Sequence, residues 1–196
     1  MKFFTADCHF GHDKIALVRG FPNSEAHDAV VIAAINSLVC ERDTLYILGD
    51  FCGNRPGKYR MKINCKDIRY VIGNHDKMQA TQNVFGQIHT TLKTRVTAED
   101  GLAYGKAVLC HYPIAYWEGS HNGSWHLYGH THASREVTLD RAFPGRQAMD
   151  VGLDNVKRLY GAYRPINENE VFDYMTARTG HDHKEFYAGQ RAGSNE

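Results

Sequence analysis

Residues 44–50 read Thr-Leu-Tyr-Ile-Leu-Gly-Asp, a short run rich in β-branched, aromatic and leucine residues that stops abruptly at a glycine. Such a run predicts a strand, and the glycine predicts the turn that ends it. Residues 68–74, Ile-Arg-Tyr-Val-Ile-Gly-Asn, repeat this design. Residues 2–7, Lys-Phe-Phe-Thr-Ala-Asp, form a third run that ends in an acidic residue. Each predicted strand is therefore followed by a polar side chain.

A helix is predicted between the first two strands. Residues 24–39 place Ala, Val, Ile and Leu on a broad apolar face, and Ser24 can cap the start of the helix. A strand, a helix and a strand in succession favour parallel pairing with a helical crossover. The first half of the chain therefore predicts an α/β fold.

The pattern changes from about residue 84 onward, where short β-rich runs alternate with Gly or Asn turns. Two sheets that face each other would bury these runs, so we predict an α/β fold of two facing mixed β-sheets flanked by helices. A last helix is predicted over residues 168–178, and residues 1–178 are expected to form one domain. The tail, residues 179–196, is polar and Gly-rich and is expected to be flexible. The predicted strands are residues 84–88, 92–97, 106–110, 124–128 and 147–151.

Composition argues against several classes of protein. The 196 residues carry 23 basic and 22 acidic side chains, and this balance disfavours a protein that tracks along nucleic acid. The longest apolar run, residues 29–38, is far shorter than the roughly 20 residues that a membrane span needs. Asp7 comes too early for a secretory signal. The five cysteines lack CxxC spacing, which favours reduced thiols and a cytoplasmic location.

Histidine is the unusual feature of the composition, with 12 copies. Several lie in segments that follow a predicted strand and contain potential metal ligands. Because alternate residues of a strand lie on one side, Asp7 can converge with His9, and His130 with His132. In open α/β sheets, binding sites form at the carboxyl ends of the strands. The five segments are Asp7-Cys8-His9, Gly49-Asp50, Gly73-Asn74-His75-Asp76, His111 and Gly129-His130-Thr131-His132.

Taken singly, each segment has an ordinary interpretation. Gly-Asn-His-Asp is a common turn sequence, because Asn, Asp and Gly all favour turns, and Gly-His-Thr-His could form a surface loop. Five such segments in one short chain, each after an apolar strand, are poorly explained by chance. Together they predict a metal centre.

The order of these segments resembles that of the calcineurin-like metallophosphoesterases, whose motifs are D-x-H, G-D, G-N-H-[DE], H and G-H-x-H. The match runs from Asp7 to His132, about two thirds of the chain. The resemblance implies a four-layer sandwich of two facing mixed β-sheets and flanking helices. It is closer to the small bacterial and phage phosphoesterases of this superfamily, whose substrates are poorly defined. The segments similar to that subfamily are residues 7–12, 48–51, 111–113, 123–130 and 149–154.

The resemblance also implies a role for each ligand. The implied ligands are Asp7, His9 and His132 for one metal ion, Asn74, His111 and His130 for a second, and Asp50 as the bridge. Imidazole with carboxylate and amide oxygens suits Mn, Fe, Zn or Ni better than Ca, so two divalent ions are expected, with Mn favoured. Two such ions can share a water and lower its pKa, and the bound hydroxide then attacks phosphorus.

His75 is not needed as a ligand in this scheme. The resemblance implies that it acts with Asp50 in catalysis, protonating the leaving oxygen or stabilising negative charge on the phosphate. The alternative is a turn histidine that caps a backbone carbonyl. Asp76 would cap the next helix or orient a neighbour, and the cap is favoured. His12 could contact the substrate or be structural, and Arg55 is a candidate for substrate binding because it follows Asp50 closely.

Most remaining candidates have a structural interpretation. Trp117 and Trp125 flank the loop before His130, where packing is favoured over stacking on a base or sugar. A set of cations is expected to form a solvated surface rather than a grip on an anionic substrate. These cations are Arg19, Lys58, Arg60, Lys62 and Lys66.

The sequence departs from the family pattern at Gly53, three residues beyond Asp50, where many members carry an Asp or His that supports the catalytic histidine. The orientation of His75 and the choice between diesters and monoesters therefore stay open. Three cysteines lie within two residues of implied ligands. They are expected to be buried and packed, although their oxidation could disturb the site. These cysteines are Cys8, Cys52 and Cys110.

The leading prediction is a metal-dependent phosphodiesterase or phosphomonoesterase that acts on a small phosphoester or a nucleotide. Nucleic acid is a less favoured substrate, no membrane partner is expected, and the oligomeric state stays open. The alternative is a catalytically weak, metal-binding scaffold on the same fold, and the presence of His75 with every implied ligand argues against it. A structural zinc site would favour Cys and close with four ligands, which fits these segments badly.

Overall fold

The computed structural model describes residues 1–178, so the predicted flexible tail lies outside the described residues. Within this range the strands are β1 (Lys2–Thr5), β2 (Thr44–Leu48), β3 (Asp67–Val71), β4 (Ile88–His89), β5 (Thr91–Thr97), β6 (Tyr104–Cys110), β7 (Trp125–Tyr128), β8 (Ala148–Asp150) and β9 (Ile166–Asn167). The helices are α1 (Asp13–Val18), α2 (Ser24–Leu38), α3 (Pro56–Arg60), α4 (Met78–Phe85), α5 (Glu136–Ala142), α6 (Leu153–Tyr160) and α7 (Glu168–Thr176). None of these helices combines the length and apolar character that crossing a membrane requires.

The first sheet has the strand order β4-β3-β2-β1-β9. The strands β1 to β4 pair in parallel, whereas β9 pairs with β1 in the antiparallel sense. The helices α1 and α2 connect β1 to β2, which confirms the predicted crossover. Because β1, β2 and β3 run in one direction, their carboxyl ends meet at the same edge of the sheet.

The second sheet has the order β5-β6-β7-β8. The hairpin β5–β6 is antiparallel, and β6, β7 and β8 pair in parallel. Both sheets are therefore mixed, and the predicted α/β class with two mixed sheets and flanking helices is confirmed.

The hydrophobic core lies on both faces of each sheet. The two sheets face each other through one cluster of buried side chains, to which each central strand contributes. This inner cluster includes Phe4, Leu48, Val71, Leu109, Leu127 and Met149. On the other face of the first sheet, Leu45 and Ile47 pack with Val31 and Ile35 of α2. Side chains alternate between faces along β2, so one strand serves both clusters.

The second sheet is covered on its outer face by a smaller cluster. Val108 and Tyr128 pack there with Trp117, and Leu139 of α5 lies against them. Trp117 and Trp125 are both buried, which confirms their predicted packing role. The Trp117 indole Nε1–H donates to the Ser124 carbonyl at 2.9 Å and so shapes the loop before β7.

Two predictions about local structure were wrong. Residues 84–88 do not form one strand: α4 continues to Phe85, its C-cap is Gly86 with φ +72°, and of these residues Ile88 alone belongs to a strand, β4. The Phe85 ring packs on Tyr70, with centroids 4.5 Å apart, and this contact favours the helix. The cap of α2 is Asn23 rather than Ser24, since the Asn23 side chain accepts from the Ala26 N–H at 2.9 Å.

Candidate metal centre

The predicted ligands meet where the strands end. Asp7, Asp50 and Asn74 follow β1, β2 and β3, whereas His111 and His130 follow β6 and β7 of the facing sheet. The ligand atoms of two groups lie within 4.8 Å of one another. These groups are Asp7 with His9 and His132, and Asp7 with Asp50 and His111. The structure therefore brings together five of the seven implied ligands in two overlapping groups that could hold a metal ion.

His9 and His132 face each other through their Nε2 atoms, which are 3.3 Å apart. Two metal–nitrogen bonds of about 2.0–2.1 Å at a tetrahedral angle place their nitrogen atoms at about this separation. Burial and, to a smaller extent, the neighbouring His132 lower the pKa of His9 to about 2. His9 is therefore neutral near pH 7, which is the form that binds metal ions.

The ring of His111 is oriented from behind by the protein backbone. Its buried Nδ1 lies 2.8 Å from the Leu48 carbonyl oxygen, to which it donates. Its Nε2 is then an acceptor, yet it faces Asp50 Oδ2 at 3.6 Å and Asn74 Oδ1 at 3.0 Å. A cation bound among these three atoms would satisfy all of them.

The carboxylate of Asp7 also indicates a site for a cation. One of its carboxylate oxygens, Oδ2, accepts from the His130 backbone N–H at 2.8 Å. The other, Oδ1, is buried and has no hydrogen-bond partner within the described residues. Burial raises the pKa of Asp7 well above its usual value, and the nearby Asp150 and Asp50 carboxylates add to the shift. A partnerless buried carboxylate oxygen is costly, and a bound cation would satisfy it. The residues present therefore fit a metal ion.

Asp50, a member of the second group, lies between His9 of the first group and His111 of its own group. Its Oδ2 is 3.7 Å from His9 Nε2 and 3.6 Å from His111 Nε2, whereas its Oδ1 accepts from the His75 backbone N–H at 2.8 Å. One carboxylate thus contacts both groups and the loop after β3.

Asp76 does not cap a helix, so that prediction was wrong. The helix α4 begins after Lys77, and the Asp76 carboxylate turns back toward the ends of β2 and β3. It accepts backbone N–H groups from Asp50 at 2.9 Å, Phe51 at 3.1 Å and Gly73 at 2.8 Å. Asp76 therefore orients the loop that presents Asp50, which was the less favoured alternative.

Left-handed backbone, rather than strand pleating, makes the ligands converge. β1 ends at Thr5 and β7 at Tyr128, so the ligands that follow them lie in loops. Five of the seven non-glycine residues with positive φ in residues 1–178 are implied ligands. Such strain is typical of functional sites. These five are Asp7 (57°), His9 (48°), Asp50 (53°), His130 (69°) and His132 (48°).

The remaining ligands and His75 are exposed. The His130 ring lies 5.1 Å from the His111 ring and 4.8 Å from the Tyr112 ring, measured between centroids. Desolvation, with His111 close by, lowers the pKa of His130. Asn74 and His75 are exposed beside it. The structure therefore places both at the open face of the cluster.

The His75 ring is available to a ligand. It makes an edge contact with His9 at 5.1 Å between centroids, and no hydrogen bond reaches its ring from any residue of the described range. A carbonyl-capping role for this ring is therefore not observed. A Cβ at Gly53 would meet nothing within 4 Å, so that position lends His75 no support. The hydrogen bond from the His75 backbone N–H to Asp50 Oδ1 holds this residue in place.

The two substrate-binding candidates differ in position. His12 caps α1, since its Nδ1 accepts from the Ile15 N–H at 3.4 Å, and its ring lies 5.8 Å from that of His9. It therefore has a structural role beside the cluster. Arg55 precedes α3 with φ +56° and is exposed. Across residues 1–178, no hydrogen bond or ion pair joins Arg55 to the cluster.

Two residues at the site were not recognised from the sequence. Arg19, expected on a solvated surface, is buried, and that prediction was wrong. Its guanidinium pairs with Asp154 at 2.7 Å, and Asp154 also contacts His132 Nδ1 at 2.6 Å. The only sequence signal was indirect, because residues 149–154 resemble a segment of the small phosphoesterases.

The cysteines next to the ligands are buried, as predicted. Burial raises the pKa of both Cys8 and Cys52 to about 12. Thiols in that state are poor nucleophiles. Oxidation of either residue in the folded protein is therefore disfavoured.

Comparison with known proteins adds the fold but no activity. No family model matches the chain. The chain is 26% identical over 211 residues to the gene 66 protein of Mycobacterium phage L5, covering 93% of this chain and 96% of the relative. It is 28% identical over 171 residues to an uncharacterized protein of Methanocaldococcus jannaschii, covering 84% of this chain and 85% of the relative. A crystal structure of a protein of unknown function from Aquifex aeolicus superposes with a TM-score of 0.66 at 21% identity, covering 89% and 98% of the two chains.

Proposed function

We propose that this chain is a phosphoesterase of the calcineurin-like type that uses two divalent metal ions. The observation that carries the proposal is a pair of buried atoms that a cation would satisfy, at the ends of strands from both sheets: Asp7 Oδ1, which has no hydrogen-bond partner within the described residues, and His111 Nε2, whose ring is held through Nδ1 by the Leu48 carbonyl. The order of the motifs and the layering of helices against two facing sheets support it. In this proposal the fold is the four-layer sandwich of that superfamily.

The first ligand set is one of the two groups described above, and the second set keeps His111 from the other group. In this proposal Asp7, His9 and His132 hold one ion, and Asp50 bridges to the second. The position of Asp50 Oδ2 between His9 Nε2, 3.7 Å away, and His111 Nε2, 3.6 Å away, supports the bridging role. The second ion is held by Asn74, His111 and His130. Imidazole, carboxylate and amide oxygen suit Mn, Fe, Zn or Ni, and Mn is favoured.

The chemistry that two bound ions supply is activation of a water molecule and neutralisation of charge on the phosphoryl oxygens. In this proposal the exposed His75 ring donates a proton to the leaving oxygen or a hydrogen bond to a phosphoryl oxygen. Asp76 holds the loop on which Asp50 and His75 depend. Asn74, His75 and His130 of the cluster are exposed, and the proposed substrate is a small phosphoester or a nucleotide.

The test is hydrolysis of bis-(p-nitrophenyl) phosphate and p-nitrophenyl phosphate by protein stripped of metal and reloaded with Mn or Ni. The variant His75→Asn removes the proposed proton donor. The variant His121→Asn is the matched control, because His121 is also exposed and has no proposed role. We expect metal-dependent turnover that falls about 10²–10⁴-fold in His75→Asn and is unchanged in His121→Asn.

The preferred reagent separates a diesterase from a monoesterase. No turnover of either reagent by protein that binds two metal ions would contradict the proposal and favour the metal-binding scaffold. An equal loss in both variants would contradict the role of His75.

A further inference from the structure

Arg19 and Asp154 form an ion pair beneath the cluster, although they are 135 residues apart in the chain. Arg19 Nε donates to Asp154 Oδ1 at 3.0 Å, and Nη2 donates to Oδ2 at 2.7 Å. The contact is bidentate, which fixes the relative orientation of the two groups. The Arg19 side chain is 2% exposed and that of Asp154 is 20% exposed, so water reaches the pair only from the carboxylate side.

The same pair contacts two separate ligand segments. Arg19 Nη2 donates to the Asp7 carbonyl oxygen at 2.7 Å, and Nη1 donates to the Cys8 carbonyl oxygen at 3.4 Å. On the other side, Asp154 Oδ2 lies 2.6 Å from Nδ1 of His132. One ion pair thus links the backbone before His9 to the ring of His132.

The contact with Asp154 determines which nitrogen of His132 is available to a ligand. An ionised carboxylate only accepts hydrogen bonds, so the proton of the imidazole lies on Nδ1. Nε2 is then left with its lone pair, and it points at Nε2 of His9, 3.3 Å away. Asp154 therefore fixes both the tautomer and the direction of the ring.

Arg19 is itself fixed from behind. Its Nη1 lies 2.9 Å from His27 Nε2, and His27 Nδ1 lies 3.0 Å from Asp28 Oδ1. The second oxygen of Asp28 accepts the Gly11 backbone N–H at 2.9 Å. A chain of buried polar contacts therefore runs from the loop after β1 through Arg19 to His132. Such a network loses its geometry when one member is removed.

We infer that Asp154 and Arg19 are positioning residues for the metal centre: Asp154 presents Nε2 of His132, and Arg19 holds Asp154 and the backbone of Asp7 and Cys8 in register with it. The inference rests on the proposed function only in that the cluster binds a metal ion. A purely structural ion pair would contribute to folding alone, whereas positioning residues also change metal affinity. Loss of a carboxylate partner from a ligating histidine typically weakens metal binding about 10–100-fold.

The experiment compares Asp154→Asn with Asp67→Asn. Asp67 is also paired with an arginine, Arg69, but it begins β3 at the end of the sheet opposite the cluster. Mn²⁺ and Zn²⁺ binding to the metal-free proteins is measured by calorimetry, and the tautomer of His132 is read from ¹⁵N shifts of the histidine rings. His132→Gln assigns the signal.

We expect the wild type to carry the Nδ1–H tautomer at His132. Asp154→Asn is expected to lose that signature and to bind one of its two ions about 10–100-fold more weakly, whereas Asp67→Asn matches the wild type. Wild-type affinity for both ions in folded Asp154→Asn would overturn the inference. If that variant does not fold, the wild type still decides, because an Nε2–H tautomer at His132 would also overturn it.

These readouts do not depend on turnover. A protein that binds two ions through an oriented His132 but hydrolyses neither phosphate ester would contradict the proposed function and leave the positioning role intact. Normal hydrolysis and normal metal affinity in Asp154→Asn would contradict the positioning role and leave the proposed function intact.

Discussion

The cluster has two regions that differ sharply in how the protein holds them. In the base, defined as Asp7, His9, Asp50 and His111, each residue is at most 2% exposed. The rim, defined as Asn74, His75 and His130, is exposed. Base residues are fixed by hydrogen bonds and by left-handed backbone. The His75 ring at the rim has ring contacts and no hydrogen bond within residues 1–178.

This difference distinguishes the residues that determine the stability of the fold from those that determine turnover. In the base, acceptor atoms lie close to one another away from water, which is unfavourable. The surrounding hydrogen bonds and charges must offset this cost for the protein to fold. Rim side chains contact water and can change without leaving a buried group unpaired. Substitutions that disturb the base should therefore change unfolding, whereas those in the rim should change turnover alone.

The largest effect on stability is expected for Arg19→Ala, which removes the support of the base. Asp154 would be left as a poorly compensated charge, at a cost of about 3–5 kcal/mol in the free energy of unfolding. Arg69→Ala, which removes an exposed pair with Asp67, should cost no more than about 1 kcal/mol. Urea unfolding of the metal-free proteins measures both. Equal losses in the two variants would break the comparison.

A smaller loss is expected for Gly129→Ala. A Cβ at Gly129 would lie 2.4 Å from the Cβ of Ala6 and 2.6 Å from Asp7 Oδ2, so the loop must move, at about 1–3 kcal/mol. Gly53→Ala is the control, since a Cβ there meets nothing within 4 Å. Thermal unfolding should show a lower melting temperature for Gly129→Ala alone.

Asp7→Asn is expected to increase the free energy of unfolding of the metal-free protein, whereas Arg19→Ala and Gly129→Ala decrease it. Burial raises the pKa of Asp7, so folding favours its protonated form; that preference is fully present below the usual pKa of 3.8 and is lost as pH rises through the folded-state pKa. At neutral pH the ionised carboxylate therefore destabilises the fold, and its removal should stabilise by on the order of 1 kcal/mol. The gain should shrink at pH 3, and bound metal should reverse the order of stability. A metal-free variant less stable than wild type at pH 7 would contradict this.

The smallest effect on stability is expected for the rim. His130→Asn should change the free energy of unfolding of the metal-free protein by no more than about 0.5 kcal/mol, because the ring is exposed. Its turnover of p-nitrophenyl esters should nevertheless fall, since a proposed ligand is lost. Destabilisation comparable to that of Arg19→Ala would place His130 with the base instead.

The sequence predicted the base better than its support. Strand runs followed at once by Asp or His are local signals, and they located the segments correctly. The reason for convergence was wrong, because pleating cannot continue past Thr5 or Tyr128, and left-handed turns bring the side chains together. Arg19 could not be recognised, since its partner lies 135 residues away and no local pattern marks it. Residues 84–88 were predicted as a strand because a short apolar pair such as Val84 and Phe85 fits a helix as well as a strand.

The pairing of β1 with β9 has a consequence for how the chain is made. Phe3 and Phe4 lie opposite Asn167 and Ile166. The first strand therefore gains its second neighbour in the sheet only from one of the last described segments. At about 5–20 residues per second, a ribosome needs roughly ten to thirty seconds to add the intervening chain. Throughout that interval the edge of β1 that faces β9 is unpaired, whereas His132 gains its partner Asp154 only 22 residues after it is made. The nascent protein therefore completes its cluster only after the segment that carries Asp154 has been made.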